Sequence, residues 1–277
     1  MMPTKYHFIS GLPRSGSTLL TAILRQNPRF SVALASPVVS LIEAIQPYTS
    51  GGEYSLFFDD ATRADMFQGL FDSFYKQTVA KMPENPVIFD SNRMWTGFIP
   101  LIAHLHPDAR IICCVRDIGW ILDSFERLLA KNPLQMTRIF GAGPRNSILA
   151  RAENLMNPEY GLVGLPYYKL SEAWFGEQAK RLIVVPYNSL VKDPKRVLGR
   201  IYQELGETPF DHDFQNVEFD DVSEYDAYVG LPGLHTVRKK IEHIERAPIL
   251  PPDIFFKYAT AQFWDKPELN PRRVTIL

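Results

Sequence analysis

Short apolar segments alternate with longer amphipathic segments through most of the chain. Residues 6–10, 86–90, 110–115 and 181–187 are rich in aromatic and β-branched side chains, which predicts four strands. The run at 110–115 is continuously apolar, as is typical of a central strand buried on both faces. Apolar residues recur at helical spacing in the segments between the strands, which predicts helices over 19–26, 38–45, 64–81, 95–105, 117–129, 171–180, 194–205 and near 252–263.

The first predicted strand leads directly into a glycine-containing loop and then a helix. Residues 11–18 read Gly-Leu-Pro-Arg-Ser-Gly-Ser-Thr, which fits a phosphate-binding P-loop except that Ser17 takes the lysine position. This loop suits an anion for three reasons: the backbone N–H groups of residues 14–18, the helix dipole, and the hydroxyls of Ser15, Ser17 and Thr18. Because the loop carries Arg14 and no lysine, a nucleotide with a single 5′-phosphate bridged to another group fits it better than ATP does. The same residue types also occur in strand-to-helix turns without a ligand.

Strands that alternate with helices predict an α/β fold with a P-loop-type, mostly parallel sheet flanked by helices on both faces. We expect one domain over residues 1–277. Segments around 131–170 and 223–250 are rich in loop-forming residues, and we expect them to shape an acceptor pocket or a lid. Ligands of such sheets bind outside the carboxyl ends of the strands, where the loop at 11–18 also lies.

A second candidate phosphate site follows the third predicted strand. That strand ends in Arg116 and Asp117, and Ser124 lies eight residues after Arg116, roughly two helical turns at ~1.5 Å per residue. An arginine and a hydroxyl can clamp a phosphate from two sides. Alone, the pattern fits equally a surface pair of Arg116 with Asp117 and an ordinary helix serine. Together with the first loop, it predicts a nucleotide phosphorylated at two separate places.

These motifs resemble those of sulfotransferases that use 3′-phosphoadenosine-5′-phosphosulfate (PAPS). The loop at 11–18 resembles the family's 5′-phosphosulfate loop, and Cys114-Val-Arg116-Asp with Ser124 resembles its 3′-phosphate motif. The segment around Tyr187 resembles the part that packs near the adenine. The resemblance runs in order from residue 8 to about residue 205. It is closest to the bacterial and tyrosylprotein branch, which carries Pro-Arg-Ser-Gly where cytosolic enzymes carry Pro-Lys-Ser-Gly.

The resemblance implies transfer of a sulfuryl group from PAPS to a hydroxyl acceptor, with release of adenosine 3′,5′-bisphosphate and no required metal. The acceptor remains open between a peptide tyrosine, a glycan and a small molecule. Arg14 would contact the bridging oxygen and the sulfonate. The candidate for the family's late basic segment, which closes over the donor, is 235–240; it lacks the glycine-rich pattern of the cytosolic enzymes, and a solvated charge run is the other interpretation. The implied donor-binding residues are Pro13, Arg14, Ser15, Gly16, Ser17, Thr18, Arg116, Ser124, Tyr187, Val237, Arg238 and Lys239.

A hydroxyl acceptor also needs a general base within hydrogen-bond reach of its proton. The glutamate of the tyrosylprotein branch is missing near position 35, and the cytosolic histidine position lies in Asp90-Ser-Asn-Arg93. Asp90 is the first candidate base, with capping of the next helix or orientation of Arg93 as its other possible role. We expect Arg93 to contact the sulfonate. Glu43 and His235 are further candidates for the base.

Composition excludes several other classes of protein. The 277 residues are 45% hydrophobic and carry a net charge of −1, which is typical of a globular chain without the basic excess of nucleic-acid-binding proteins. No signal-peptide pattern precedes the first strand and no apolar run is long enough to span a membrane, so we expect a soluble cytoplasmic protein. Neighbouring strand residues point to opposite faces, so Cys113 and Cys114 do not form a disulfide with each other.

Two other functions remain open at this level. The first is a small-molecule kinase that uses ATP, against which stand Ser17 in the lysine position and the lack of a convincing metal-binding aspartate after a strand. The second is a nucleotide-binding protein without catalytic activity. Binding of adenosine 3′,5′-bisphosphate, compared with ATP and Mg²⁺, separates these functions by the rise in melting temperature that each ligand causes.

Overall fold

The computed structural model describes residues 4–219 and 222–277. Their strands form one sheet in the order β2-β3-β1-β4-β5-β6, and each neighbouring pair is parallel. The strands are β1 (Lys5–Gly11), β2 (Phe30–Val32), β3 (Val87–Ser91), β4 (Ile111–Val115), β5 (Leu182–Pro186) and β6 (Thr275–Ile276). The chain builds outward from β1 in both directions, so a crevice opens at its carboxyl end, between β3 and β4.

Helices connect the strands and cover the sheet. They are α1 (Ser17–Leu24), α2 (Val38–Ser50), α3 (Asp60–Val79), α4 (Ile99–Leu105), α5 (Ile118–Lys131), α6 (Ile148–Leu155), α7 (Gly164–Phe175), α8 (Tyr187–Lys192), α9 (Pro194–Leu205), α10 (Ser223–Val229) and α11 (Pro252–Lys257). Short 3₁₀ helices occupy Glu53–Phe57, Trp95–Phe98, Ala179–Arg181, Phe263–Asp265 and Pro267–Leu269. In the described part of the chain, every helix is too short or too polar to cross a bilayer.

Apolar side chains of the strands enter two separate cores, one on each face of the sheet. The adjacent residues Cys113 and Cys114 show the division, because the first lies in one core and the second in the other. Helices α3, α5 and α7 cover one face, and α1 and α9 cover the other. The predicted α/β fold with a parallel sheet covered on both faces is therefore confirmed.

The structure differs from the prediction in segments that are short or that contain glycine and proline. The edge strands β2 and β6 were not predicted, because three and two residues show no usable periodicity. Helix α7 begins at Gly164 rather than at residue 171. Pro166 is compatible with its first turn, where the N–H that proline lacks would have no intrahelical partner. The predicted helix at 95–105 divides into a 3₁₀ turn and α4.

Candidate active site

The loop between β1 and α1 turns tightly at two glycines. Gly11 has φ of +103°, and a Cβ atom there would lie 2.2 Å from the carbonyl oxygen of Cys114. Gly16 has φ of +95°, and its Cβ atom would lie 2.9 Å from the ring of Tyr187. Only glycine combines this backbone conformation with so close an approach. The turn brings the unpaired N–H groups at the start of α1 to the carboxyl end of β1.

Arg14 stands in this loop with a left-handed backbone conformation, φ of +56°. Its Nε donates to Ser124 Oγ over 3.0 Å, and its Nη1 donates to the carbonyl oxygen of Leu234. Burial and the neighbouring Arg116 lower the pKa of Arg14 from 12.5 to about 10. Arg14 therefore keeps its positive charge at neutral pH and connects the first loop to α5 and to the late segment.

Arg116, at the end of β4, lies beside the first loop. Its Nη1 donates to the carbonyl oxygen of Arg14 over 3.4 Å, and its guanidinium lies 4.3 Å from the centroid of the Tyr187 ring. Asp117 has different partners, because its carboxylate accepts from the N–H of Trp120 at the start of α5 and from Gln262 Nε2. The two candidate phosphate sites thus meet at Arg14 and Arg116.

One hydroxyl of the loop does not lie where the sequence suggested. The Ser15 side chain is buried and donates to the carbonyl oxygens of Leu12 and Cys114, the latter over 2.9 Å. It holds the loop against β4, which leaves only the backbone N–H of Ser15 for a phosphate. Ser17 and Thr18 do line the adjacent cavity.

A cavity of about 1100 Å³ opens beyond the carboxyl ends of the strands. Among the predicted site residues, those that line it are Pro13, Arg14, Gly16, Ser17, Thr18, Arg93, Arg116, Ser124, Tyr187, Val237 and Arg238. Lys239 is exposed and does not line it, and its carbonyl accepts instead from the N–H of Val217 over 2.7 Å. Lys240 and Arg246 supply basic groups to the cavity wall in its place.

Residues 235–250, which we call the strap, run along one side of the cavity and are held on α5 by Asp123. This carboxylate is fully buried and accepts from Arg127 Nε over 2.8 Å, Arg246 Nη2 over 3.1 Å and the Ile249 N–H over 2.6 Å. Sequence analysis missed Asp123 and Arg246. The sequence feature that could have revealed Asp123 is a carboxylate among the apolar residues of a predicted helix, because a buried charge requires partners.

Asp90 lies outside the cavity lining, and this position does not support its predicted role as general base. Its carboxylate is fully buried and accepts from Tyr75 Oη over 2.8 Å and from Trp95 Nε1 over 2.7 Å. Burial raises the pKa of Asp90. Both oxygens are occupied by core side chains, so Asp90 has a structural role. Glu43 is exposed on α2 and is likewise absent from the cavity wall.

Replacement of Asp90 by asparagine should therefore destabilise the fold and leave turnover within a few-fold of the wild type. An asparagine amide cannot accept from both Tyr75 and Trp95, and one unpaired buried donor costs about 1–3 kcal/mol. Urea unfolding measures the loss, with the exposed Asp108→Asn as the matched control. A folded Asp90→Asn variant with a turnover reduced 100-fold or more would contradict this assignment.

His235, which lines the cavity, is paired with the buried Asp226. His235 Nδ1 lies 2.6 Å from Asp226 Oδ1, and the His235 N–H donates to Asp226 Oδ2 over 3.1 Å. The carboxylate is buried, whereas His235 lines the cavity. Burial lowers the pKa of His235 below 6.5, against the effect of Asp226 and with the help of Arg14 and Arg93. The imidazole is thus neutral and oriented at neutral pH, as a general base requires.

Arg93 lies on the same side of the cavity as His235. Burial lowers the pKa of its guanidinium, and its Nη1 has no hydrogen-bond partner among the described residues. Arg93 itself lines the cavity, where its positive charge suits an anionic ligand. In residues 4–219 and 222–277, no group of three or more His, Cys, Asp or Glu side chains is placed to hold a metal ion.

Comparison with known proteins identifies the family. A model described as the sulfotransferase family matches residues 7–212. A search of curated proteins found no match. Solved structures are similar in fold: the sulfotransferase domain of the curacin biosynthetic pathway has a TM-score of 0.57 at 16% identity, over 94% of this chain and 92% of that one. A sulfotransferase from Alicyclobacillus acidocaldarius has a TM-score of 0.50 at 15% identity, over 82% and 90%.

A third structure is also similar, the sulfotransferase domain of the olefin synthase from Synechococcus PCC 7002. It has a TM-score of 0.48 at 21% identity and covers 93% of this chain and 94% of that chain. The family model spans the loop at 11–18, β4 and α5, which carry the two candidate phosphate sites; Asp226, His235 and the strap lie beyond it. A match over residues 7–212 is most of the chain, and the protein therefore belongs to the sulfotransferase family.

Proposed function

We propose that this sulfotransferase uses PAPS as donor and transfers its sulfuryl group to a hydroxyl, with release of adenosine 3′,5′-bisphosphate. The observation that supports this most directly is the hydrogen bond between Arg14 Nε and Ser124 Oγ, 3.0 Å long. It joins the loop suited to a 5′-phosphosulfate with the helix suited to a 3′-phosphate. A single nucleotide phosphorylated at both positions fits a cavity in which these two sites adjoin.

The residues present suit such a donor. Gly16, Ser17 and Thr18 line the cavity at the start of α1, where backbone N–H groups and two hydroxyls suit a phosphate. Arg116 and Ser124 would hold the 3′-phosphate, and Tyr187 would lie near the base. Val237 and Arg238 of the strap would cover the nucleotide, and Lys239 would not take part.

The chain's own residues supply the remaining requirements of the reaction. His235 Nε2 would accept the proton of the acceptor hydroxyl while Asp226 stabilises the resulting imidazolium. A bond forms between the acceptor oxygen and sulfur, the bond between sulfur and the phosphate oxygen breaks, and Arg14 stabilises the charge left on that oxygen. Arg93, which lines the cavity, would donate to an oxygen of the sulfonate.

Arg116→Ala should weaken binding of adenosine 3′,5′-bisphosphate by about 10–100-fold, because charge-assisted hydrogen bonds to the 3′-phosphate contribute about 1.5–3 kcal/mol. Affinity for adenosine 5′-monophosphate, which lacks that phosphate, should change little. Calorimetry with both nucleotides measures the difference, and the exposed Arg145→Ala serves as the matched control.

If Arg116→Ala weakened the binding of both nucleotides equally, the placement of the 3′-phosphate at Arg116 would be refuted. If ATP with Mg²⁺ stabilised the wild type and adenosine 3′,5′-bisphosphate did not, the proposal that PAPS is the donor would be refuted. In that case, a kinase or a nucleotide-binding role would fit the protein better.

A further inference from the structure

Apolar residues contribute part of the cavity lining that also contains His235. Leu234 belongs to the reacting end, because its carbonyl accepts from Arg14. We call the lining residues Ile139, Leu162, Val229 and Leu234 the apolar wall. Such a surface binds hydrocarbon better than a sugar, whose hydroxyls would lose their hydrogen bonds to water there.

Helix α10 connects the reacting end of the cavity to a second basic group. Near its start, Asp226 binds His235. At its end, the carbonyl of Val229 accepts from the N–H of Arg138 over 2.8 Å and from Thr137 Oγ1 over 3.1 Å. His235 and Arg138 both line the cavity, and each contacts α10, His235 through Asp226 and Arg138 through Val229. One short helix therefore sets the relative positions of the candidate base and of this arginine.

The Arg138 side chain is exposed at the cavity and stacks on an aromatic ring, an arrangement in which it can bind an anion. Its guanidinium lies 4.3 Å from the centroid of the Tyr228 ring, which supports one of its faces. Within residues 4–219 and 222–277, no carboxylate lies at ion-pair distance from it. A stacked guanidinium keeps its planar fork of donors free for a carboxylate or phosphate, and loses little side-chain freedom on binding.

We infer that the acceptor is an amphipathic hydroxy acid. Its hydroxyl lies at His235, its hydrocarbon body lies along the apolar wall, and its anionic group, a carboxylate or a phosphate, binds Arg138. This inference rests on the proposed sulfuryl transfer and adds the class of acceptor to it. It excludes neutral sugars and neutral short alcohols as preferred acceptors.

A series of ω-hydroxy fatty acids of increasing length, each compared with its methyl ester, tests the inference. At the best chain length, kcat/KM should be about 10–100-fold higher for the acid than for the ester, the factor expected of charge-assisted hydrogen bonds. Arg138→Gln should abolish this preference and leave transfer to the ester unchanged. Arg145→Gln removes an exposed arginine that is absent from the cavity wall, and should keep the preference. Matched ω-hydroxyalkyl phosphates distinguish the two anions, because the better acceptor identifies the head group.

The test separates this inference from the proposed function. Binding of adenosine 3′,5′-bisphosphate, measured by calorimetry, should be the same in the wild type and in Arg138→Gln. Equal rates for acid and ester, or donor binding without transfer to any member of the series, would overturn the acceptor class and leave the donor site intact. If the wild type does not bind adenosine 3′,5′-bisphosphate, the proposed function itself fails.

Discussion

His235→Ala should lower kcat for sulfuryl transfer by about 10²–10⁴, the usual contribution of a positioned general base. The imidazole lines the cavity, and Asp226 holds its Nδ1 at 2.6 Å, so Nε2 is the nitrogen that remains to accept a proton. Single-turnover rates at saturating PAPS measure the chemical step. His104→Ala, which removes an exposed histidine on α4, is the matched control and should keep full activity.

Asp226→Asn provides an independent test of the same pair. An asparagine amide can donate to Nδ1, which would place the proton on Nε2 and leave that nitrogen unable to act as a base. We expect a loss in kcat of at least about 10² with little change in affinity for adenosine 3′,5′-bisphosphate. Activity within a few-fold of the wild type in both His235→Ala and Asp226→Asn would exclude the pair from catalysis.

The pH profile of the wild type should follow His235. Burial, together with Arg14 and Arg93, lowers the pKa of His235 below 6.5, and Asp226 opposes that shift. The neutral form is the active one, so kcat/KM should be constant near neutral pH and fall as the pH drops through a pKa below 6.5. In His235→Ala, this acidic limb should be missing from the residual activity.

Arg14→Ala should lower kcat by about 10²–10³, because it removes the charged donor nearest to the leaving phosphate oxygen. The variant should also bind donor more weakly, since Arg14 connects the loop to Ser124 and to the carbonyl of Leu234. Arg14→Lys is the informative control, because it keeps a charge and the same class of backbone preference but loses the planar fork. Partial activity is expected for it.

Single-turnover measurements at saturating donor separate the two effects of Arg14, since weaker binding alone disappears under those conditions. A normal single-turnover rate in Arg14→Ala would show that the arginine only binds the nucleotide. The left-handed conformation at this position, φ of +56°, is equally unfavourable for arginine, lysine and alanine. The comparison therefore does not depend on a difference in backbone strain.

Local sequence was sufficient for the parts of the site that lie within one strand, loop and helix. The glycine loop at 11–18 and the pair of Arg116 with Ser124 each occupy a short segment, and a parallel sheet brings the carboxyl ends of its central strands together. The side chains of Ser15 and Asp90 lie in the core and not at the cavity, for one shared reason. Their residue types suit the chemistry, but the sequence does not show whether a side chain points to the cavity or to the core.

The sequence by itself determined the α/β fold, the position of the crevice at the end of β1 and the two segments that line it there, the loop at 11–18 and the start of α5, because periodicity and turn chemistry act over a few neighbouring residues. Only the tertiary structure decided that His235 pairs with Asp226, that Asp123 holds the strap and that Asp90 is enclosed by Tyr75 and Trp95. The partners of a buried charge come from distant parts of the chain, and packing of the whole fold selects them.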